Sequence, residues 1–273
     1  MNHDQLETNS EAAGTRVNLD RRSFLQTAGI TVAGAAALAS PLASNFANAQ
    51  GAAAMGAAYP KPPKLTAKPL SATIFDTKGI SRKTHEEHFK LYQGYVNKTN
   101  EIFEKLATVS RDPKLANQSF SEIRELKVEL SFALGGVKNH ELYFDVLGGG
   151  GSTPGGNLLT EVNRSFGSPD AWAADIKATG IAARGWVWTA WDHDLKRLVN
   201  YIGDAQNSYP IWNATPIIAL DVYEHAYYLD FQTRRADYID AFLQNLNWNS
   251  IAGRFAQAMT AGGPAANLVT TAG

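Results

Sequence analysis

Residues 221–231 read DVYEHAYYLDF. An acid, Asp221, and a histidine, His225, stand four residues apart among aromatic rings. The run before them is apolar and β-branched, so PIIALDVYE (216–224) reads as a strand. A carboxylate at the end of such a strand is expensive to bury without a compensating charge. An imidazole packed against aromatic rings raises the same problem in milder form. The stretch therefore asks what Asp221 and His225 face, and the answer orders the rest of the chain.

The chain has no cysteine among its 273 residues. That excludes disulfides, thiolate catalysis, iron–sulfur clusters and cysteine-ligated zinc. Any metal is held by imidazole, carboxylate or water. Beyond the first 49 residues the histidines are His85, His88, His140, His193 and His225. His88 lies midway along one helical segment, His140 on a second, and His225 in the quoted stretch. Three such histidines with one buried aspartate form a candidate site for a cation that uses all four groups, and three neutral imidazoles with one carboxylate suit iron or manganese exchanging between 2+ and 3+. His85, in a charged HEEH run, and His193, in a DHD turn, are expected to face solvent. Hydrolase signatures are missing: there is no HExxH, no G-x-S-x-G elbow and no evident carboxylate pair for glycoside hydrolysis.

The N-terminus reads as an address. LDRRSFLQ (19–26) carries paired arginines, an Ala/Gly-rich apolar run follows at 27–43, and ANA (47–49) is a small-x-small cleavage site. Residues 1–49 thus resemble a bacterial twin-arginine export signal, which implies the twin-arginine machinery as a partner and a periplasmic or otherwise exported protein. The apolar run is too short and too weakly hydrophobic to favour a stable membrane anchor. Three arginines and four acids lie in this segment, which leaves 22 basic and 22 acidic residues beyond it. No basic excess points to nucleic acid or to an anionic membrane.

Residues 50–74, rich in Ala, Pro and Lys, read as an extended leader with little core of its own. Apolar spacing predicts one long helix over 81–109, capped by Ser81, and a second over 119–147. Together they form an antiparallel hairpin domain, 75–150. Gly135-Gly136 in the second helix lets another group approach its backbone closely. LGGGGSTPGGN (147–157) breaks the chain. Short helices are expected at 158–166 and 168–182, strands at 186–194, 195–203 and 216–224, and a helix at 237–248. These form an α/β domain, 151–260, with a disordered tail at 261–273. The fold class is α+β: an N-terminal antiparallel α-helical hairpin, then a C-terminal α/β domain with a small three-stranded antiparallel sheet.

DVYEHAYYLDFQTRRADYIDAFLQNLNW (221–248) resembles the C-terminal signature of the iron/manganese superoxide dismutases, D-x-W-E-H-A-Y-Y. KGISRKTHEEHFKLYQGYVNK (78–98), NHELYFDVLGG (139–149) and RGWVWT (184–189) resemble the family's first helix, second helix and G-W-x-W strand. The resemblance spans about residues 75–258. It implies one manganese or iron ion per subunit, held by His88, His140, Asp221 and His225, and superoxide as substrate. It implies a homodimer or tetramer in which Glu224 reaches the partner's His225. Tyr95 stands for the gateway tyrosine and Trp186 for the indole that walls the metal. Gln206 matches the glutamine that hydrogen-bonds metal-bound solvent in manganese forms; with Gly136, where iron forms usually carry their glutamine, it favours manganese over iron. Lys90 and Arg235 match the basic residues near the substrate funnel.

The sequence departs from the family pattern in places. His88 and Tyr95 are seven residues apart rather than eight, which keeps both on one helix face. Leu91 and Tyr92 replace two family histidines, so Tyr228 lacks its usual partner in the gateway link. Tyr223 replaces a tryptophan beside the metal and adds a hydroxyl that needs a partner. A non-catalytic metal-binding protein of the same fold is the alternative, and retention of Tyr95, Trp186 and Gln206 speaks against it.

Overall fold

A computed structural model describes residues 59–261 of the chain. The export signal, the start of the leader and residues 262–273 of the expected tail lie outside the described residues. Residues 59–71 run extended into a 3₁₀ turn, Ala72–Asp76. Helix α1 (Arg82–Thr108) starts where Ser81 accepts a hydrogen bond from the Thr84 amide. Helix α2 spans Glu122–Asp145, α3 Gly156–Phe166 and α4 Pro169–Ala182. Ser168 caps α4, with Pro169 preset for its first turn. Strands β1 (Trp186–Asp192), β2 (Arg197–Gly203) and β3 (Ala214–Asp221) follow. A 3₁₀ turn (Glu224–Ala226) and one helical turn (Tyr228–Phe231) lead to α5 (Arg235–Gln244) and α6 (Trp248–Ala261).

The sheet is antiparallel in the order β2-β1-β3, with every β1 residue buried. A central strand covered on both faces needs a continuous apolar run, and WVWTAWD supplies one. Its register sets Trp186 opposite Asp221. α1 packs on α2, α2 on β3, and the Glu224–Ala226 turn on α1. Those three contacts bring the histidine of each helix to the end of β3.

The extended leader does more than expected. Leu65 and Leu70 pack against the core and Ile74 is wholly buried within it. The strap runs antiparallel to α1: the Tyr59 amide donates to Ala107 O, and Asn100 exchanges two hydrogen bonds with the Leu65 backbone, at 2.8 and 2.9 Å. One apolar cluster joins Tyr92 and Tyr143 of the hairpin to Trp186 and Ile217 of the sheet. The glycine-rich break is pinned rather than loose, since Leu147 bridges Leu246 and the Gly149 amide donates to Asn245 O.

Four expectations are corrected. The third strand ends at Asp221, because the following residues turn into the 3₁₀ helix that carries His225. The helix expected at 237–248 stops at Gln244, and a separate α6 begins at Trp248, burying Ile251 and Phe255. His193 is buried, with Nε2 2.8 Å from Thr215 Oγ1. His85 is buried too: it faces inward from the first turn of α1, and its Nε2 lies 2.6 Å from Thr77 Oγ1. The polarity of HEEH misled, because Glu86 and Glu87 occupy the outer face while His85 and His88 share the inner one. Among the described residues no helix is long and apolar enough to cross a membrane.

Burial, and next the charge of nearby His88, lower the pKa of His85 to about 4 from the ordinary 6.5. The unfolded chain therefore takes up this proton first, and stability falls as pH drops from 6.5 towards 4. The loss reaches roughly 3 kcal/mol, at 1.36 kcal/mol per pKa unit. Measured by denaturant unfolding across that window, His85→Leu should flatten this acid limb relative to the parent; an unchanged limb removes His85 from the acid response.

Candidate metal centre

The four groups singled out in the sequence converge. His88, His140, Asp221 and His225 each offer one ligand atom, and these atoms all lie within 4.8 Å of one another. The arrangement centres on one carboxylate oxygen. Asp221 Oδ2 is 3.1 Å from His88 Nε2, 3.1 Å from His225 Nε2 and 3.7 Å from His140 Nε2. His88 and His140 come from facing helices, Asp221 from the end of β3, and His225 from the turn one step further.

Each group is oriented from behind. His140 Nδ1 donates to Gly136 O at 2.6 Å, which turns Nε2 towards the centre. Asp221 Oδ1 accepts from the Tyr223 amide at 2.9 Å, leaving Oδ2 for the imidazoles. The Tyr238 hydroxyl donates to Asp221 O at 2.7 Å and holds the strand end. Side chains of His88, His140 and Asp221 are fully buried, whereas that of His225 is 27% exposed. The gap in the wall is thus on the His225 side.

Electrostatics follow from this packing. Burial pushes the Asp221 carboxyl up, but His225 and His88 outweigh it and hold the pKa below the ordinary value. Burial, then the neighbouring His88, lowers His140 to about 3. Burial lowers His88 as well, against the pull of Asp221. Burial also opposes a proton on His225, yet Asp221 prevails and raises its pKa. Neutral His88 and His140 present lone pairs, and a neutral imidazole is the form that binds metal.

These residues fit a cation. His140 Nε2 is fully enclosed and has no hydrogen-bond partner, a state that is costly in a core. Separations of 3.1–3.7 Å between donor atoms suit the edges of a polyhedron with metal–ligand bonds of about 2 Å. The donor set, three nitrogens and one carboxylate oxygen, suits a borderline first-row transition metal.

A second ring of side chains encloses the ligands. Trp186 packs edge-on to His140, with centroids 5.2 Å apart. Its indole donates to Gln206 Oε1 at 3.0 Å, while Gln206 Nε2 donates to the Tyr95 hydroxyl at 3.2 Å. α1 is regular throughout, so Tyr95, two turns after His88, stays on its face and packs 5.2 Å from His140. The glycine pair admits these neighbours. A Cβ on Gly136 would lie 2.6 Å from the Tyr95 ring, and one on Gly135 would lie 2.4 Å from Gln206 O. Tyr223 stacks on His225 at 5.3 Å. Burial raises its hydroxyl pKa to about 12.

Sequence reading missed Asn139. Its amide donates to Gln206 O at 3.0 Å, and its oxygen accepts from Trp188 at 3.2 Å, so it anchors the Gln206 loop to α2. Its position next to His140 was the only clue. Of the two basic residues, Arg235 lies with Tyr223, Glu224 and His225 on a surface hollow of about 560 Å³. Lys90 is exposed on α1 and pairs with Glu87 at 2.9 Å. Glu224 and Tyr228 are exposed.

Comparison with known proteins agrees with the site. Residues 78–148 match the family model for the iron/manganese superoxide dismutases, alpha-hairpin domain, and residues 154–254 match that for the C-terminal domain. The superoxide dismutase of Aquifex aeolicus, named for iron, is 46% identical over 67% of this chain and 87% of its own length. That of Cupriavidus metallidurans, also named for iron, is 36% identical over 70% of this chain and 96% of its own. A superoxide dismutase of Haloferax volcanii named for manganese is 33% identical over 64% and 84%. The chain belongs to the iron/manganese superoxide dismutase family.

Proposed function

We propose that the chain disproportionates superoxide to O2 and H2O2, with His88, His140, Asp221 and His225 as ligands to one manganese or iron ion. The observation that carries this reading is the convergence of those four groups inside a wall of Tyr95, Trp186 and Gln206. A bound ion supplies the one-electron exchange, alternating between 3+ and 2+, by which one superoxide is oxidised to O2 and a second is reduced, with two protons, to H2O2.

The chain's own residues set the conditions for that exchange. Trp186 and Tyr95 pack against His140 and wall the centre with aromatic rings. Burial raises the Tyr95 pKa against the opposing hydrogen bond from Gln206, so the phenol keeps its proton at neutral pH and can deliver it at Oη. Gln206 holds that hydroxyl on one side and the Trp186 indole on the other. A storage protein needs the ligands but not this chain of donors, which disfavours a non-catalytic metal binder.

The pairing of Gly136 with Gln206 supports manganese as the resident ion. A Cβ at 136 would lie 2.6 Å from the Tyr95 ring and force it to shift, and the glutamine present comes from the loop after β2. The iron-named relatives make elemental analysis of protein from its own host the deciding measurement, and iron in excess would overturn the manganese assignment alone.

A homodimer is supported by the exposed side of His225. Glu224 stands on the rim of the hollow that opens there, and a second copy related by a twofold axis can offer its own Glu224 to this imidazole. Tyr228, at 49% exposure, and Leu91 add apolar area. Export through the twin-arginine pathway is supported by RRSFLQ and the ANA site in residues 1–49.

Purified protein is expected to contain close to one Mn or Fe per chain and to consume superoxide, with both lost on chelation. Gln206→Ala should lower turnover at least about tenfold with metal retained; unchanged turnover removes Gln206 from the mechanism. Glu224→Ala should shift sedimentation from dimer towards monomer, and an unaltered profile counts against the bridge. Replacing Arg21 and Arg22 by Lys should leave the protein in the cytoplasmic fraction of a host with the export machinery, whereas undiminished export would exclude that route.

A further inference from the structure

Tyr92 occupies a place that the site chemistry above does not use. It lies one turn after His88 on α1 and is 1% exposed. Its hydroxyl donates to Glu141 Oε1 at 2.9 Å, and Glu141 directly follows His140 on α2. The same hydroxyl accepts from the Lys68 amide at 2.9 Å. The Lys68 ammonium pairs with Glu141 Oε2, so both groups of the strap residue close over one contact. The Tyr92 ring lies nearly parallel to the His140 imidazole, 20° apart in plane with centroids at 6.4 Å. Burial and the Glu141 carboxylate raise its pKa to about 12, against the Lys68 amide, and the phenol remains a donor across the neutral range.

We propose that the Tyr92–Glu141 hydrogen bond, covered by Lys68 of the leader strap, is a brace that sets the spacing of the two helices carrying His88 and His140. Tyr92 is then a positioning residue for the metal. The strap takes part only through Lys68, at the ligands' level; its contacts at Ala107 and Asn100 lie further along α1. A helix pair held only by apolar packing can slide by fractions of an ångström, since dispersion contacts have no preferred direction. A part-buried, charge-assisted hydrogen bond one turn from His88 and beside His140 removes that freedom. The inference rests on the four-ligand reading of the site.

The test uses the mature protein loaded with its metal. Tyr92→Phe keeps the ring and deletes both hydroxyl hydrogen bonds. It should release metal to a chelator roughly tenfold faster than the parent, the scale on which outer-shell partners act, and should shift the visible absorption of the loaded centre. Glu141→Leu should do the same, and Glu141→Gln, which keeps an acceptor for Tyr92, should stay near the parent. Asn100→Ala is the control: it loosens the strap two turns from Tyr92 and should lower the melting temperature without faster release. Parent-like release and spectrum in Tyr92→Phe overturn the brace, as does equally fast release from Asn100→Ala. A parent that takes up no Mn or Fe refutes the metal-site reading itself, and is told apart by elemental analysis before any variant is compared.

Discussion

A buried carboxylate sets the terms for this molecule. Asp221 is fully enclosed at the end of β3, and three imidazole nitrogens stand within 3.1–3.7 Å of one of its oxygens. Removing such a charge from water costs several kcal/mol even after the surroundings relax. His225 and His88 outweigh this and hold the Asp221 pKa below its ordinary value, but His140 Nε2 stays enclosed with no hydrogen-bond partner. A cation would bond His140 Nε2 and Asp221 Oδ2 together, and the four groups fit one.

That arrangement uses every layer. The antiparallel register puts Trp186 across from Asp221. Tyr238 of α5 grips the strand end, Gly136 O turns His140, and Asn139 ties the Gln206 loop to α2. The glycine pair of α2 lets Tyr95 and Gln206 approach as near as they do. The N-terminal strap closes the other side of the helical pair and meets it at Tyr92. Hairpin and α/β parts therefore share a core, and the ligands lie on their seam.

Much of this was legible in the chain. Apolar periodicity outlined α1, and the β-branched run outlined β3 up to its last residues. Four candidate ligands could be singled out because Asp221 and His225 lie among apolar and aromatic residues and the stretches around His88 and His140 resemble the family's helices. The same logic failed at His85 and His193, whose neighbours along the chain are charged. Burial there is decided by partners distant in sequence: Thr77 hydrogen-bonds His85, and Thr215 hydrogen-bonds His193. α6 went unread although Ile251, Phe255 and Ala258 recur at helical spacing and are buried on one face.

The sequence by itself determined the α+β order of elements, the absence of thiol chemistry and the four groups with reason to share an ion, because composition and period are local properties. Only the tertiary structure decided which atoms meet. The meeting of His88 and His140 with Asp221, the seat of Gln206 between Tyr95 and Trp186, and the strap's contact with Tyr92 all arise from long-range packing. Distances between residues more than a hundred positions apart depend on how helices and strands fill space together, and no short stretch of chain encodes them.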